Sequence, residues 1–192
     1  MTFRIGDKVV YPSQGPCLID AVVKKAIGGA PASFYRLSLL DHSRDAVLVP
    51  VEKLSALHVR HLVAKSEIPN LLGHLRNSPT TSKNWKQRTI DNAKLLASGS
   101  AFDLAEIVGS LTELSEAKAL LPRDRQTLAK AKKFLICEIS EAKDESRDAA
   151  EGDIDRVLES KATLPETNAG YGKSVPNRRR HNEHAGPNFS SH

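Results

Sequence analysis

The sequence has few cysteines, few aromatic residues and no long apolar run. Its two cysteines, Cys17 and Cys137, lie far apart and form no CxxC pair, so free buried thiols in a reducing compartment are favoured over a disulfide or a zinc site. No stretch approaches the roughly 20 apolar residues that span a membrane, and no apolar leader follows Met1. We therefore expect a soluble, cytoplasmic protein that has no membrane partner.

Motifs that would indicate an enzyme are also missing from the sequence. It contains no glycine-rich phosphate loop, no HExxH zinc motif and no serine elbow. His58 and His61 have a helical spacing, but no carboxylate or cysteine completes a metal set with them, so a solvated or half-buried pair is favoured. The acidic residues between 138 and 155 are interpreted as a solvated helix face. The chain is thus predicted not to be an enzyme and to use no cofactor, metal ion or small-molecule substrate.

Positive charge is concentrated in one part of the chain. The formal net charge is +5, yet residues 57–100 hold seven Lys and Arg against two Asp and Glu, whereas residues 101–145 hold seven against nine. A protein that contacts phosphates with one surface has this kind of uneven distribution. The excess lies in the segment that contains the only tryptophan of the sequence, Trp85.

Residues 1–56 have the pattern of short β-strands. Pro12 and Gly15 mark an early turn, and side chains alternate from Phe34 to Leu40 with the period of a half-buried strand. Four or five such strands in about 50 residues are the size of a small barrel. We predict an α+β fold whose amino-terminal domain, residues 1–56, is a Tudor-like or SH3-like β-barrel.

Residues 57–161 change to the period of helices and are predicted to form an all-helical domain. The remaining segment, 162–192, has too little apolar surface to offset the entropy of ordering it, so we expect a disordered tail. The pattern predicts helices that open at Ser66, at Lys83 with Ser82 as the N-cap, at about Ala101 and at Pro122, and a short fifth helix over 153–161.

Trp85 lies among cations at the start of the second predicted helix. With Ser82 as the cap, Trp85 falls in the first turn, where unpaired backbone N–H groups and the helix dipole attract an anion such as a phosphate. Lys83, Lys86 and Arg88 add positive charge at the same place. The residues alone leave two interpretations open, a nucleic-acid contact or a tryptophan that packs between two helices.

A helical wheel separates Trp85 from the apolar stripe of the same helix. Ile90, Ala93 and Ala97 form that stripe, which we expect to be buried. Trp85 lies about 140° from Ile90 on the wheel, so its ring is predicted to lie off the main buried surface. Leu96 falls close to the direction of Trp85 and offers a second buried edge.

Two stretches of the chain resemble one family. The start, Phe3-x-x-Gly6-Asp7-x-Val9-Val10-Tyr11-Pro12-x-x-Gly15, resembles the amino-terminal signature of the CarD/CdnL family of bacterial RNA-polymerase-binding transcription regulators. Transcription-repair coupling factors carry the same small domain. The later stretch, Asn84-Trp85-x-x-Arg88 followed by Leu95-x-Ala97-Ser98-Gly99, is similar to the part of CarD proteins that carries a DNA-facing tryptophan. The resemblance covers about residues 1–145.

The resemblance implies a specific function. The first domain would dock on the β subunit of RNA polymerase, in a manner like strand addition. The second would contact promoter DNA through a tryptophan wedge at the upstream edge of the bubble and so stabilise the open promoter complex. The alternative is an interaction module whose helical domain docks on another protein instead of DNA. The implied DNA-binding residues are Lys83, Asn84, Trp85, Lys86 and Arg88, and the implied polymerase-binding residues are Lys25, Val47 and Leu48.

Three positions depart from what the resemblance implies. Lys25 and Leu48 stand at the places of two arginines, so one position keeps its charge and the other does not. Lysine also lacks the planar fork of arginine. Ile90 stands where a basic residue is implied, which leaves more of the phosphate contact to the lysines around Trp85.

Overall fold

The computed structural model describes residues 3–41, 43 and 45–162, so the predicted tail lies outside the described residues from position 163 onward. The expected α+β class is confirmed, because an antiparallel sheet precedes the helices. The sheet has the strand order β4-β3-β2-β1-β5. Its strands are β1 (Lys8–Tyr11), β2 (Gly15–Ile27), β3 (Ala30–Leu39), β4 (Ala46–Pro50) and β5 (Arg60–His61).

Cross-strand pairs of apolar residues form the core of the sheet. Val9 lies opposite Cys17, and Ile19 lies opposite Leu37, all four fully buried. Inward side chains alternate with outward ones along each strand, which is why the sequence alternates there. Strand β5 lies beyond residue 56, the predicted end of the first domain, and pairs with β1.

The helices pack around a second core. α5 begins earlier than the predicted residue 153, because Ala150 and Ile154 are both fully buried in this core and hold its first turns in place. The helices are α1 (Ile68–Arg76), α2 (Trp85–Ser98), α3 (Ala101–Ala117), α4 (Pro122–Lys143) and α5 (Arg147–Ala162), with short 3-10 turns at Val51–Lys53 and Lys65–Glu67.

Two glycines lie where the sheet meets the helices. Gly15 has a φ of 90°, and a Cβ there would come within 2.6 Å of a ring carbon of Phe134 in α4. Gly99 ends α2 with a φ of 72°, and a Cβ there would come within 3.0 Å of the Pro12 ring. Both positions need glycine for backbone conformation and for space.

A buried ion pair also joins the two parts. The Arg60 guanidinium in β5 donates to both carboxylate oxygens of Glu138 in α4, at 2.6 and 3.0 Å, and to the carbonyl of Gly99. The backbone N–H of Val63 donates to the same carboxylate at 2.8 Å. Glu138 is 0% exposed, so the interpretation of the acidic residues from 138 onward as a solvated face is wrong at this position. A charge this deeply buried requires such partners.

The two cysteines are buried, whereas His58 and His61 are exposed. Cys17 and Cys137 are buried and free, and burial raises the pKa of Cys17 to about 12 and that of Cys137 to about 11. His58 lies in a turn and His61 in β5, and both are exposed, so the predicted solvated pair is confirmed although it does not lie on a helix. In the stretches that the structure describes, no cluster of His, Cys, Asp and Glu could hold a metal ion. No helix in those stretches has the length and apolar content needed to cross a membrane.

Candidate nucleic-acid interface

The chain enters α2 through two consecutive side-chain caps. The Ser82 hydroxyl accepts from the backbone N–H of Asn84 at 3.3 Å, and the Asn84 side chain accepts from the N–H of Lys86 at 3.0 Å. Asn84 is therefore the N-cap, two residues later than the predicted Ser82, because Asn84 has the extended backbone that an N-cap requires. The helix begins at Trp85, directly after its cap.

The Trp85 ring lies at the surface, 52% exposed. The ammonium nitrogen of Lys86 is 5.7 Å from the centre of the ring, within the range of a cation–π contact. Lys83 and Asn84 are exposed beside it. The structure thus brings Lys83, Asn84, Trp85 and Lys86 together at one helix N-terminus, where free backbone N–H groups favour an anion.

Arg88 is buried and does not belong to this exposed group around Trp85. Its side chain is 2% exposed, and Nε and Nη2 donate to one carboxylate oxygen of Asp124 in α4, at 3.2 and 2.6 Å. Nη1 donates to the carbonyl of Ser82 at 2.8 Å. The expectation that Arg88 offers its charge beside Trp85 therefore differs from the structure. Arg88 instead fastens the loop before α2, and the start of α2 itself, onto α4.

The inner face of α2 combines buried, polar Arg88 and Asn92 with half-buried Leu95 and Leu96, so the predicted second edge at Leu96 is confirmed and the predicted main stripe is wrong. Arg88 and Asn92 are its buried residues, while Ile90, Ala93 and Ala97 of the expected buried stripe are exposed. Ile90 is 50% exposed. The inversion has a physical cause, since Arg88 finds a carboxylate and a carbonyl on the inner side and its burial there is compensated.

The predicted polymerase-binding residues lie in the sheet. Lys25 is in β2 opposite Ala32, and Leu48 is in β4 opposite Arg36. Ala32 and Arg36 are four residues apart in β3, so Lys25 and Leu48 share one face of the sheet, about 13 Å apart along the strand direction. Val47, by contrast, packs against the sheet core.

β4 is an edge strand of the sheet. It pairs with β3 on one side, and no strand among the described residues pairs with its other side. An edge of this kind offers a row of backbone donors and acceptors to another chain. Val47 and Leu48 are both in this strand, and both are half-buried.

Sequence reasoning overlooked Arg36, which lies directly opposite Leu48 on the same face of the sheet. Its side chain is 49% exposed and pairs with Asp20 at 2.7 Å. The Arg36 hydrogen bond lowers the pKa of the Asp20 carboxyl, so the pair stays charged at neutral pH. The alternation of β3, with Arg36 and Ser38 on the face opposite Leu37, was the available signal. Arg36 supplies a guanidinium next to the position where Leu48 lacks one.

Comparisons with known proteins match both parts of the chain. Residues 3–63 match the domain family described as the CarD-like/TRCF RID domain, and residues 70–155 match the family described as CarD, C-terminal domain. The chain is also 29% identical over 142 residues to the Bacillus subtilis (strain 168) protein named "Putative transcription factor YdeB", covering 71% of this chain and 90% of that protein. The first match agrees with the Tudor-like fold that the sequence predicts.

Proposed function

The chain belongs to the CarD family and is a transcription regulator, and from this membership we propose that it binds RNA polymerase and stabilises the open promoter complex. In this proposal the sheet docks on the β subunit of the polymerase. The start of α2 then contacts the upstream edge of the melted promoter. The observation that carries the proposal is the Trp85 ring, 52% exposed at the first residue of α2 with Lys86 beside it.

The free edge of β4 supports docking by strand addition. An added strand would form main-chain hydrogen bonds with β4, and side chains on the neighbouring face would select the partner. Lys25 and Leu48 share that face with Arg36. One lysine, one apolar side chain and one guanidinium that is already paired with Asp20 suit a partner strand with mixed apolar and acidic character.

Trp85 supports the preference for open DNA. A ligand shifts an equilibrium only through its different affinity for the two states. Unstacking a base step costs a few kcal/mol, and an apolar ring that fills the resulting gap offsets part of this cost. About 1.4 kcal/mol of preference changes the ratio of open to closed complexes tenfold. Lys83 and Lys86 would hold the phosphates beside the gap.

A fixed distance between the sheet and the start of α2 would make even a weak DNA contact by Trp85 effective. Once the sheet is docked, Trp85 is held near the promoter, and tethering raises its effective concentration there. The Arg60–Glu138 pair and the contact of Gly15 with Phe134 tie the sheet to α4. The Arg88–Asp124 pair in turn ties α2 to α4. The docking edge and the ring are thus connected through packed elements.

The lifetime of open promoter complexes tests the DNA contact. Polymerase and a promoter are mixed with the wild-type protein, with Trp85→Ala, or with Leu121→Ala. Leu121 is a matched control, because it is 46% exposed and apolar but lies at the start of α4. We expect Trp85→Ala to shorten the lifetime roughly tenfold, as loss of ~1.4 kcal/mol would, and Leu121→Ala to leave it unchanged. Equal lifetimes for wild type and Trp85→Ala would contradict the wedge.

Recovery of the β subunit in a pull-down tests the docking contact. Lys25→Glu reverses a charge on the proposed docking face, whereas Lys53→Glu makes the same change in the short turn after β4. We expect only Lys25→Glu to lower recovery, with the circular dichroism of both variants unchanged. Undiminished recovery with Lys25→Glu would place the polymerase contact on another surface.

One observation favours a second function, docking of the helical domain on another protein. Ile90, Ala93 and Ala97 form an exposed apolar stripe on α2, which is typical of a protein-binding helix face. The salt dependence of DNA binding separates the two functions. If DNA is the partner, Lys83→Ala and Lys86→Ala each reduce the slope of log affinity against log salt by about one. A slope that neither variant changes would favour the protein partner.

A further inference from the structure

The buried face of α2 contains an unpaired hydrogen-bond donor. Asn92 is 4% exposed, and its side-chain Nδ2 has no acceptor among the described residues. A buried amide that lacks a partner destabilises the folded protein, and such groups are rare in native structures. This donor therefore needs an explanation, and a ligand that supplies the acceptor is a direct one.

Asn92 lines a cavity of about 390 Å³ between α2, α3 and the loop that precedes α2. This volume is within the roughly 300–1,000 Å³ of small-molecule sites. Pro79 and Leu95 give the cavity apolar wall, while Asp91 and Glu106 bring carboxylates and Ser110 a hydroxyl. An apolar cavity with a few convergent polar groups has the composition of a binding site.

A smaller cavity of about 260 Å³ lies on the other side of Asn92. Its lining includes Asp124, but one oxygen of that carboxylate already accepts both Nε and Nη2 of Arg88. The cavity of about 390 Å³ has Glu106, for which the part of the chain that the structure describes offers no ion pair. Of the two cavities that Asn92 lines, the one of about 390 Å³ is thus the better site for a ligand that both accepts and donates hydrogen bonds.

The polar groups of the larger cavity complement one chemical class. Nδ2 of Asn92 donates to a ligand acceptor, while Glu106 and the second oxygen of Asp91 accept from ligand donors. The first oxygen of Asp91, Oδ1, already accepts from Gln87 Nε2 at 2.8 Å. Cytosine and adenine each present a ring-nitrogen acceptor beside an amino group that has two N–H donors, one for each carboxylate, whereas thymine has a single N–H donor. We propose that this cavity binds an unpaired nucleobase that carries an exocyclic amino group.

The cavity adjoins the proposed DNA contact. A neighbouring cavity of about 600 Å³ shares Thr80, Thr81 and Ser110 with it. Lys83 and Lys118 line this cavity together with Glu116 and with Glu113, which is paired with Lys161 at 2.7 Å. A strand that enters along the two lysines has cations near its phosphates and the Asn92 site near a base. The assignment to a separated DNA strand rests on the proposed function. A free nucleotide is the other source of the same base.

Proteins that bind extruded bases use the same two kinds of contact. They form hydrogen bonds to the Watson–Crick edge and place apolar side chains against the ring. Unstacking at the bubble edge releases a base from its neighbours, so a pocket next to the wedge would hold open DNA for a second reason. In this arrangement Trp85 fills the gap in the stack and the Asn92 site receives a displaced base.

The test is a nuclear magnetic resonance titration of the full, ¹⁵N-labelled chain with short single-stranded oligomers of dC, dA or dT. We expect the Asn92 side-chain amide signals to shift with dC and dA, and these oligomers to bind roughly tenfold more tightly than dT, as for one specific base contact. Asn92→Leu should remove the preference for dC and dA. A preference that Asn92→Leu leaves intact, or amide signals that do not move, would overturn the proposal.

Stability measurements show whether Asn92→Leu is a valid variant. Because the substitution removes an unpaired buried donor, its midpoint of thermal unfolding should equal or exceed that of the wild type. If the variant does not fold, Glu106→Gln tests the same site, since its amide replaces one acceptor oxygen with a donor. Glu52→Gln, in the sheet domain, is the matched control. Loss of the base preference in Glu106→Gln alone supports the site, and loss in neither variant overturns it.

Two further arms identify the source of the base and separate this inference from the function proposed above. Free CMP and AMP, titrated alone, bind as tightly as the oligomers if the physiological ligand is a nucleotide, and much more weakly if it is a DNA strand. Trp85→Ala should weaken all oligomers alike and keep the base preference. Failure of the wedge appears in open-complex lifetimes with polymerase, whereas failure of the base site appears in the oligomer titration without it.

Discussion

Helices α2 and α3 follow one another directly, separated by Gly99 and Ser100, yet they use their side chains in opposite ways. α3 buries an apolar stripe that includes Leu104, Ile107 and Leu111. α2 buries polar Arg88 and Asn92 and exposes Trp85 and Ile90. α3 thus contributes its apolar surface to folding, while α2 leaves part of its apolar surface exposed. Local patterns that conflict with packing are expected at functional sites.

The contrast between α2 and α3 should change most when the Arg88–Asp124 pair, which holds α2 against α4, is disrupted. Arg88→Ala leaves Asp124 as a buried, uncompensated carboxylate, which should lower the free energy of unfolding by about 3–5 kcal/mol. Replacing both residues by leucine removes the buried charges together and should cost much less. Chemical denaturation measures both. If Arg88→Ala folds with normal stability and loses only DNA affinity, Arg88 acts as a DNA contact and not as an anchor.

Truncating one large apolar side chain in each helix sharpens the comparison. Leu111→Ala in α3 should lower the free energy of unfolding by about 2–5 kcal/mol, because it leaves a cavity in a fully buried site. Trp85→Ala removes a larger side chain from α2 but should change this free energy by only about 0.5 kcal/mol, as surface substitutions do. Thermal and urea unfolding of the two variants measure the contrast. A loss of several kcal/mol in Trp85→Ala would mean that the ring packs in the fold.

The smallest expected effect comes from restoring charge on the outer face of α2. Ile90→Lys replaces an exposed apolar side chain, so stability should stay within about 0.5 kcal/mol. If this face runs along DNA, the salt slope of DNA binding should rise by about one through one further phosphate contact. Lys53→Ile, in the short turn after β4, is a reverse control for the general effect of charge. An unchanged slope with Ile90→Lys would assign the face to a protein partner.

The sequence was sufficient where local chemistry and packing agree. Pro122 starts α4 as predicted, and the stripe of α3 is buried as its spacing requires. The α2 face was not predictable in the same way, because the partner of Arg88 is 36 positions away in the sequence. The burial of Glu138 was not predictable for a similar reason, since its partner Arg60 is 78 positions away in the sequence. A charged residue is predicted to be solvated as long as its distant partner is unknown.

In the candidate site, the exposed residues around Trp85 were predictable from the sequence, whereas the residues of the surrounding structure were not. The resemblance identified Trp85 and its neighbouring lysines, and the structure brings these side chains together at one helix end. The proposed roles of Arg36 and Asn92 depend on strand register and on burial, neither of which a residue type reveals. The start of α5 was missed because Ala150 and Ile154 are sparse apolar residues in an acidic segment.

The two glycines at the junction limit how this protein can be recombined with its relatives. Gly15 belongs to the sheet but makes room for Phe134 of the helices, and Gly99 belongs to the helices but makes room for Pro12 of the sheet. A hybrid that joins this sheet to another family member's helices would need a matching side chain at each glycine. The sheet and the helices are therefore expected to be exchanged together. Exchange of one part alone would alter the contacts at Gly15 and Gly99 and change how the other part is placed.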